Sequence, residues 1–220
     1  VLSSTIDAEQ HDNYVRLINK ESEKLVELIN QILDIYKIEA NKFSLTLEPF
    51  DIYDLLESLT SVYSATAQKK GLDYYCKIDD KIPARLIGDP LRLRQVLVNL
   101  IGNAIKFTAK GQVKVTTELA NETWDKVTLL FKIIDTGIGI PKDRQKSIFD
   151  VFVQAEDSIT RRYGGTGLGV SISKQLVQLM GGEIGLESEV DQGSTFWFTA
   201  VFEKAALEEQ IKEIAVNYDE

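Results

Sequence analysis

Residues 91–108, LRLRQVLVNLIGNAIKFT, constrain this chain more than any other stretch. Leu93, Val96, Leu97, Leu100, Ile101, Ala104 and Ile105 recur at the spacing of one helical face, so the segment reads as an amphipathic helix with that face in a core. Its other stripe is unusual. Asn99, Asn103 and Lys106 stand at i, i+4 and i+7 and share a face. Asparagine is an indifferent helix former. Two of them in register with a lysine describe a surface built for a metal and an anion; the plainer reading is solvated helix residues. An amide oxygen suits Mg²⁺, with phosphate and water oxygens completing the octahedron, and a lysine can serve a phosphate as a point charge. Phe107 packs either on a flat ring or in the core, and the core is the plainer place.

Around this helix the pattern alternates between element types. Residues 9–40 carry no Gly or Pro and read as one long helix. Tyr14, Ile18, Leu25, Leu28, Ile32 and Ile35 fall near a heptad seam, widened by Ile29 and Tyr36 and interrupted by Glu21. Such a helix wants partner helices, in a bundle or coiled coil; a helix lying along its own domain is the alternative. Residues 41–50 read as a short strand and boundary ending near Pro49. A helix over 52–69 is stopped by Gly71, and 72–78 alternates as a strand. Pro83, Gly88 and Pro90 mark a loop, with Asp89 as N-cap and Pro90 at the first position of the central helix. Strands over 112–119 and 127–134 form a hairpin, and 183–188 with 194–202 form another. Between them, 141–164 is a long segment with one short helical piece over 145–152, long enough to need a functional reason. Residues 165–169 open a helix running to about Met180. The expected fold is an α/β two-layer sandwich, a mixed and mostly antiparallel sheet with helices on one face, preceded by a long helix. The expected division is 1–45, 46–202 and an acidic helical tail over 203–220, with Leu207, Ile211 and Ile214 on one side.

Net charge of −9 and a pI near 4.8 disfavour a general nucleic-acid or membrane-surface binder. No apolar run approaches a membrane span, and no leader sequence is visible. A single cysteine, Cys76, fits a reducing compartment. The start at Val1 without Met points to a fragment, so membrane attachment would come only through parts outside it.

Three further stretches carry chemistry. Asp135-Thr136-Gly137-Ile138-Gly139 lies where a buried strand enters a loop. A carboxylate there can accept from an exocyclic amine such as that of adenine, with glycines admitting a flat ring; a simple strand-ending turn is the alternative. Gly164-Gly165-Thr166-Gly167-Leu168-Gly169 precedes a helix, whose free amides attract phosphate. The preceding residues are polar rather than a strand, which excludes a dinucleotide fingerprint, and no Gly-Lys-Ser/Thr follows. A flexible loop is the alternative. Arg161 and Arg162 stand just before these glycines, where they either neutralise terminal phosphates or form a solvated pair. His11, the only histidine, reads as a surface residue, and Cys76 has no zinc-ligand cluster.

Together and in this order, the stretches are far more specific. RLRQVLVNLIGNAIKFT resembles the N box of sensor histidine kinases of two-component signalling, DTGIGI their first glycine box, IFDVFVQ their F box, GGTGLGVSIS their second glycine box and GSTFWF their closing strand. The resemblance covers residues 8–202, and the wording of the long helix (DIYKIEANKF) is closest to hybrid kinases. It implies the Bergerat ATP-binding fold shared with gyrase, Hsp90 chaperones and MutL. It assigns Asn103 to Mg²⁺, with Asn99 and Lys106 near the phosphates and Phe107 in the nucleotide site, and Arg161 and Arg162 stay phosphate candidates by their place before the glycines. It assigns Asp135 to the adenine amine, and Gly137, Gly139 and Ile140 to the base pocket. Gly165, Thr166, Gly167, Leu168 and Gly169 go to the lid hinge and phosphates, and Thr195 supports the adenine site. Residues 141–164 become the ATP lid.

Two departures from the family are informative. ATP-hydrolysing relatives place Glu where this chain has Asn99, so no carboxylate activates water, and the domain should present the γ-phosphate to an external nucleophile. The family's His box on a first dimerisation helix is missing, and the long helix matches the second. The expectation is therefore a cytoplasmic MgATP- or ADP-binding kinase fragment unable to phosphorylate itself. Its partners would be a second copy through the dimerisation helices, a phosphoacceptor helix and a receiver domain, with no nucleic acid. Two rival readings are a non-transferring adenine-nucleotide module and an ATPase of the gyrase or chaperone type.

Overall fold

A computed structural model describes residues 8–40, 43–150 and 167–205. The chain forms two compact units, Val1–Phe43 and Ser44–Glu220. The first contains one helix, α1 (Ala8–Glu39), of 32 residues. At 1.5 Å per residue it is about 48 Å long. Tyr14, Ile18, Leu25, Ile29, Ile32 and Tyr36 are exposed on it, as are Val15, Leu17, Val26 and Leu33. The apolar surface is thus broader than the heptad seam alone.

The second unit is built on a seven-stranded sheet in the order β1-β3-β7-β5-β4-β2, with β6 also paired to β7. The strands are β1 (Glu48–Asp51), β2 (Leu72–Ile78), β3 (Arg85–Gly88), β4 (Gly111–Glu122), β5 (Lys126–Asp135), β6 (Ile184–Glu189) and β7 (Gly193–Lys204). Every pairing is antiparallel except β2 with β4. Three helices, α2 (Ile52–Lys70), α3 (Pro90–Phe107) and α4 (Gly169–Leu179), cover one face. This is the two-layer sandwich expected from the pattern.

Alternation in the two longest-paired strands decides which side is the core. On β5, Val127, Leu129, Phe131 and Ile133 point inward and are fully buried. On β7, Phe196, Phe198, Ala200 and Phe202 point inward and are buried, and the Phe131 and Phe198 rings stack at 4.6 Å. The apolar face of α3 (Leu93, Val96, Leu97, Leu100, Ile101, Ala104, Ile105) closes the core from the helical layer. Each such buried side chain contributes roughly 1.5–3 kcal/mol relative to exposure.

Local chemistry sets the helix ends. The Asp51 carboxylate accepts from Tyr53 N at 2.8 Å and Asp54 N at 3.2 Å to start α2, and Gly71, left-handed at φ 74°, ends it. Asp89 caps α3 by accepting from Arg92 N at 3.0 Å, with Pro90 first in the helix.

Three elements depart from expectation. Residues read as a loop before α3 contain β3, which joins β1 to β7; its Leu86 is fully buried. The helical piece over 145–152 is only a 3-10 turn, Ser147–Phe149, among the described residues. Arg144 N–H donates to Pro141 O and Ile148 N–H to Arg144 O, so successive turns replace a helix. The closing strand runs past Phe202: Glu203 and Lys204 pair with Ile87 and Leu86. The helical pattern beyond Ala205 lies outside the described residues.

Candidate functional site

The polar stripe of α3 is where the spacing put it. Asn103 Nδ2 donates to Asn99 Oδ1 at 3.4 Å, so the two amides share one face. Among the described residues nothing donates to the Asn103 amide oxygen. Lys106 Nζ lies 4.8 Å from the centre of the Phe107 ring, and partial burial pulls its pKa down.

Asp135 arrives at the same end of the molecule by parity. It continues the inward row of Val127 to Ile133, so a carboxylate stands at the end of an apolar row, only 7% exposed. Its Oδ1 accepts from Gly137 N at 2.8 Å. Burial raises its pKa, and backbone N–H groups of Gly137 and Ser194 partly offset this. No cation neutralises it among the described residues. The loop it starts meets the end of α3, with Ile138 N–H donating to Phe107 O at 3.4 Å.

That loop is held from behind by the β6–β7 turn. Ile140 N–H donates to Ser188 Oγ at 2.8 Å, Ser188 Oγ lies 2.9 Å from Ser194 Oγ, and Asp191 N–H donates to Ile138 O at 2.9 Å. Gln145 Nε2 donates to both Ile140 O (2.9 Å) and Ser188 O (2.8 Å). Gly139 has φ 67°, and a Cβ there would stand 2.0 Å from Glu189 O. The glycine serves this close packing of two turns, whatever it offers a ligand.

Thr195 does not belong beside Asp135. It pairs with Ile134 on the outward parity, whereas Ser194 stands directly across from Asp135 and is buried. Counting back from inward-facing Phe198 and Phe196 by twos would have found Ser194 in the sequence. Ser188 and Gln145 left no such signal, because their role depends on turns from distant segments meeting.

The second glycine stretch adjoins α3. Gly167 is left-handed at φ 71°, Leu168 is buried, and Gly169 begins α4. A Cβ on Gly169 would lie 2.1 Å from Asn99 Oδ1, so α4 starts against the α3 stripe. Arg161, Arg162, Gly165 and Thr166 lie outside the described residues.

One end of the sheet therefore collects a buried carboxylate, a loop locked by its neighbours, two amides and an amine, and a helix start. The donor set fits an adenine nucleotide: Asp135 for a ring amine, Lys106 and the helix start for phosphates. It also fits a Mg²⁺ held largely by phosphate and water. The described residues contain no group of three or more His, Cys, Asp or Glu able to hold a metal, and none of them donates to the Asn103 oxygen.

Residues 88–204 match the family model described as histidine kinase-, DNA gyrase B-, and HSP90-like ATPase. The chain belongs to this family. It is 38% identical to Histidine kinase 3 of Arabidopsis thaliana over 247 residues, covering 92% of this chain and 24% of that protein. Among solved structures it is similar to full-length ShkA in complex with AMPPNP, with a TM-score of 0.76 and 34% identity, covering 92% of this chain and 41% of that one. It is also similar to ThkA in complex with the response regulator protein TrrA, with a TM-score of 0.60 and 25% identity, covering 90% of this chain and 53% of that one. The chain spans roughly a fifth to a quarter of the curated relatives' length. Family membership, with histidine kinases as relatives, makes this an ATP-binding domain of the histidine kinase type. No helix among the described residues is long and apolar enough to cross a membrane.

Proposed function

We propose that this chain binds MgATP and presents the γ-phosphate to a histidine on a dimerisation helix, for relay to a receiver aspartate in cytoplasmic two-component signalling. In this reading residues 1–45 are the second dimerisation helix with its lead-in, 46–204 the catalytic domain, with its closing strand included, and the residues after it a linker. The observation that carries it is the buried carboxylate of Asp135, which no cation among the described residues neutralises, at the end of an inward strand row and at the same end of the sheet as the amide and amine stripe of α3. A carboxylate in that place asks for a donor from a ligand, and the stripe asks for an anion.

Asp135 accepts from the adenine amine, and the loop 137–140 forms one wall of the base pocket. Lys106 meets the phosphates, with Arg161 and Arg162 and the amides at the start of α4 completing the charge. Asn103 is the protein ligand of Mg²⁺, which when bound neutralises phosphate charge. Position 99 carries an amide and cannot take a proton from water, so the bound triphosphate waits for an outside nucleophile. Transfer forms a bond from γ-phosphorus to an acceptor imidazole nitrogen and breaks the bond to the β,γ-bridging oxygen, with ADP leaving. A receiver protein as next acceptor is supported by the likeness to ThkA in its complex with a response regulator.

The test supplies a separate first dimerisation helix bearing its His box, with labelled ATP and Mg²⁺. Label should reach that helix, and Asn103→Ala should abolish it. An unlabelled helix in the presence of demonstrably bound MgATP would instead identify a nucleotide-binding module without transfer.

A further inference from the structure

Resting on that reading, we propose that Ser173 is a positioning residue for the metal site, acting through Asn99 to hold the Asn103 amide in place.

Ser173 lies in the first turns of α4, four residues after Gly169, and is 1% exposed. Its hydroxyl oxygen accepts from Asn99 Nδ2 at 2.9 Å, a contact across two helices 74 positions apart. That bond occupies the nitrogen end of the Asn99 amide. The oxygen end is left to accept from Asn103 Nδ2 at 3.4 Å. The nitrogen end of Asn103 is thereby turned back along α3, and its oxygen is the end that remains for a cation. The three side chains form one line of hydrogen bonds from α4 to the tip of the α3 stripe.

The start of α4 packs closely against one side of Asn99. The α4 backbone at Gly169 comes so close that a Cβ there would stand 2.1 Å from Asn99 Oδ1 and 2.8 Å from its Cγ. Two hydrogen bonds thus hold the plane of the Asn99 amide, one from each helix. A serine hydroxyl can accept or donate, so Ser173 holds that plane whichever way the line runs. Without it Asn99 turns freely, Asn103 loses its fixed neighbour, and a cation must order the Asn103 amide as it binds. Ser171, the other buried serine of this turn, is engaged differently: its hydroxyl donates to Leu168 O at 2.9 Å within α4. It serves as an internal comparison.

The experiment measures ADP affinity of the full chain by calorimetry, once with Mg²⁺ and once with a chelator, in wild type, Ser173→Ala, Ser173→Cys and Ser171→Ala. Cysteine nearly preserves the volume of serine but is a poor acceptor. Both Ser173 variants should lose about 10- to 100-fold of the Mg²⁺-dependent gain in affinity, the usual cost of removing a group that orients a metal ligand. Their metal-free affinity should match wild type, and Ser171→Ala should keep the full Mg²⁺ gain. The proposal is overturned if Ser173→Cys retains the wild-type gain, or if affinity falls equally with and without Mg²⁺, since either result makes Ser173 a packing residue. A wild-type chain whose ADP affinity ignores Mg²⁺ would overturn the metal reading of Asn103 itself, and this inference with it.

Discussion

Asp135 is a charge at the end of a row of valine, leucine, phenylalanine and isoleucine, and its behaviour with pH follows from that position. Burial raises its pKa in the folded protein. The ionised form is therefore penalised on folding, and the penalty is absent below the unfolded carboxylate value of about 4. Stability drawn from this group falls as pH rises from that value through the raised one. Thermal unfolding of Asp135→Asn and wild type, followed from pH 4 to 7 without nucleotide, should shift in favour of the variant as pH rises. At pH 7 the variant should also bind ADP more weakly by about tenfold or more, because a hydrogen bond to a charged acceptor contributes about 1.5–3 kcal/mol. At this scale much of the site was legible. Asn99, Asn103 and Asp135 stand out as polar residues at fixed offsets from an apolar period. Ser194 is marked only by the inward parity of β7 that ends on it, and Ser173 only by a partner 74 positions away.

Helix α3 is an element pinned at both ends, and the pins can be tested separately. Asp89 does two jobs: its Oδ1 caps the helix at Arg92 N, and its Oδ2 accepts from Thr46 N at 2.9 Å, tying the segment before β1 to the helix start. Asp89→Ala should cost about 1–2 kcal/mol, at the upper end for a cap, since the Thr46 amide is also left without its partner. At the other end, Lys70 Nζ donates to Ile105 O at 2.6 Å and Lys106 O at 2.9 Å, satisfying carbonyls that α3 leaves open. Lys70→Met should lower stability by about 1 kcal/mol, in the range for a cation at a helix end. Chemical denaturation would show both as a lower midpoint with unchanged slope. The helices were legible because periodicity and caps lie within their own residues. The four residues of β3 were not: they are too short to alternate visibly, and they become a strand only because β1 and β7 lie on either side.

For the molecule as a whole, the two units carry different duties. All the described site residues lie in Ser44–Glu220, while α1 displays exposed isoleucine, leucine, valine and tyrosine along its length. Residues 1–220 should self-associate through this surface, and 44–220 should not, as light scattering over a concentration series would show. Both should bind ADP with equal affinity, so a site that weakened on removing α1 would contradict this division.

The place of β7 has a consequence for how the chain is made. This strand alone links the β1–β3 pair to β5, β4 and β2, and it is the last strand of the sheet to be synthesised. Until it emerges, β2, β4 and β5 can pair and pack with α2 and α3, but one edge of β5 stays open and β3 has only its short partner β1. At roughly 5–20 residues per second, the ~70 residues from the end of β5 to the end of β7 take several seconds to appear. For that interval the nascent chain presents an open β5 edge and a core without the phenylalanines of β7, a state prone to association.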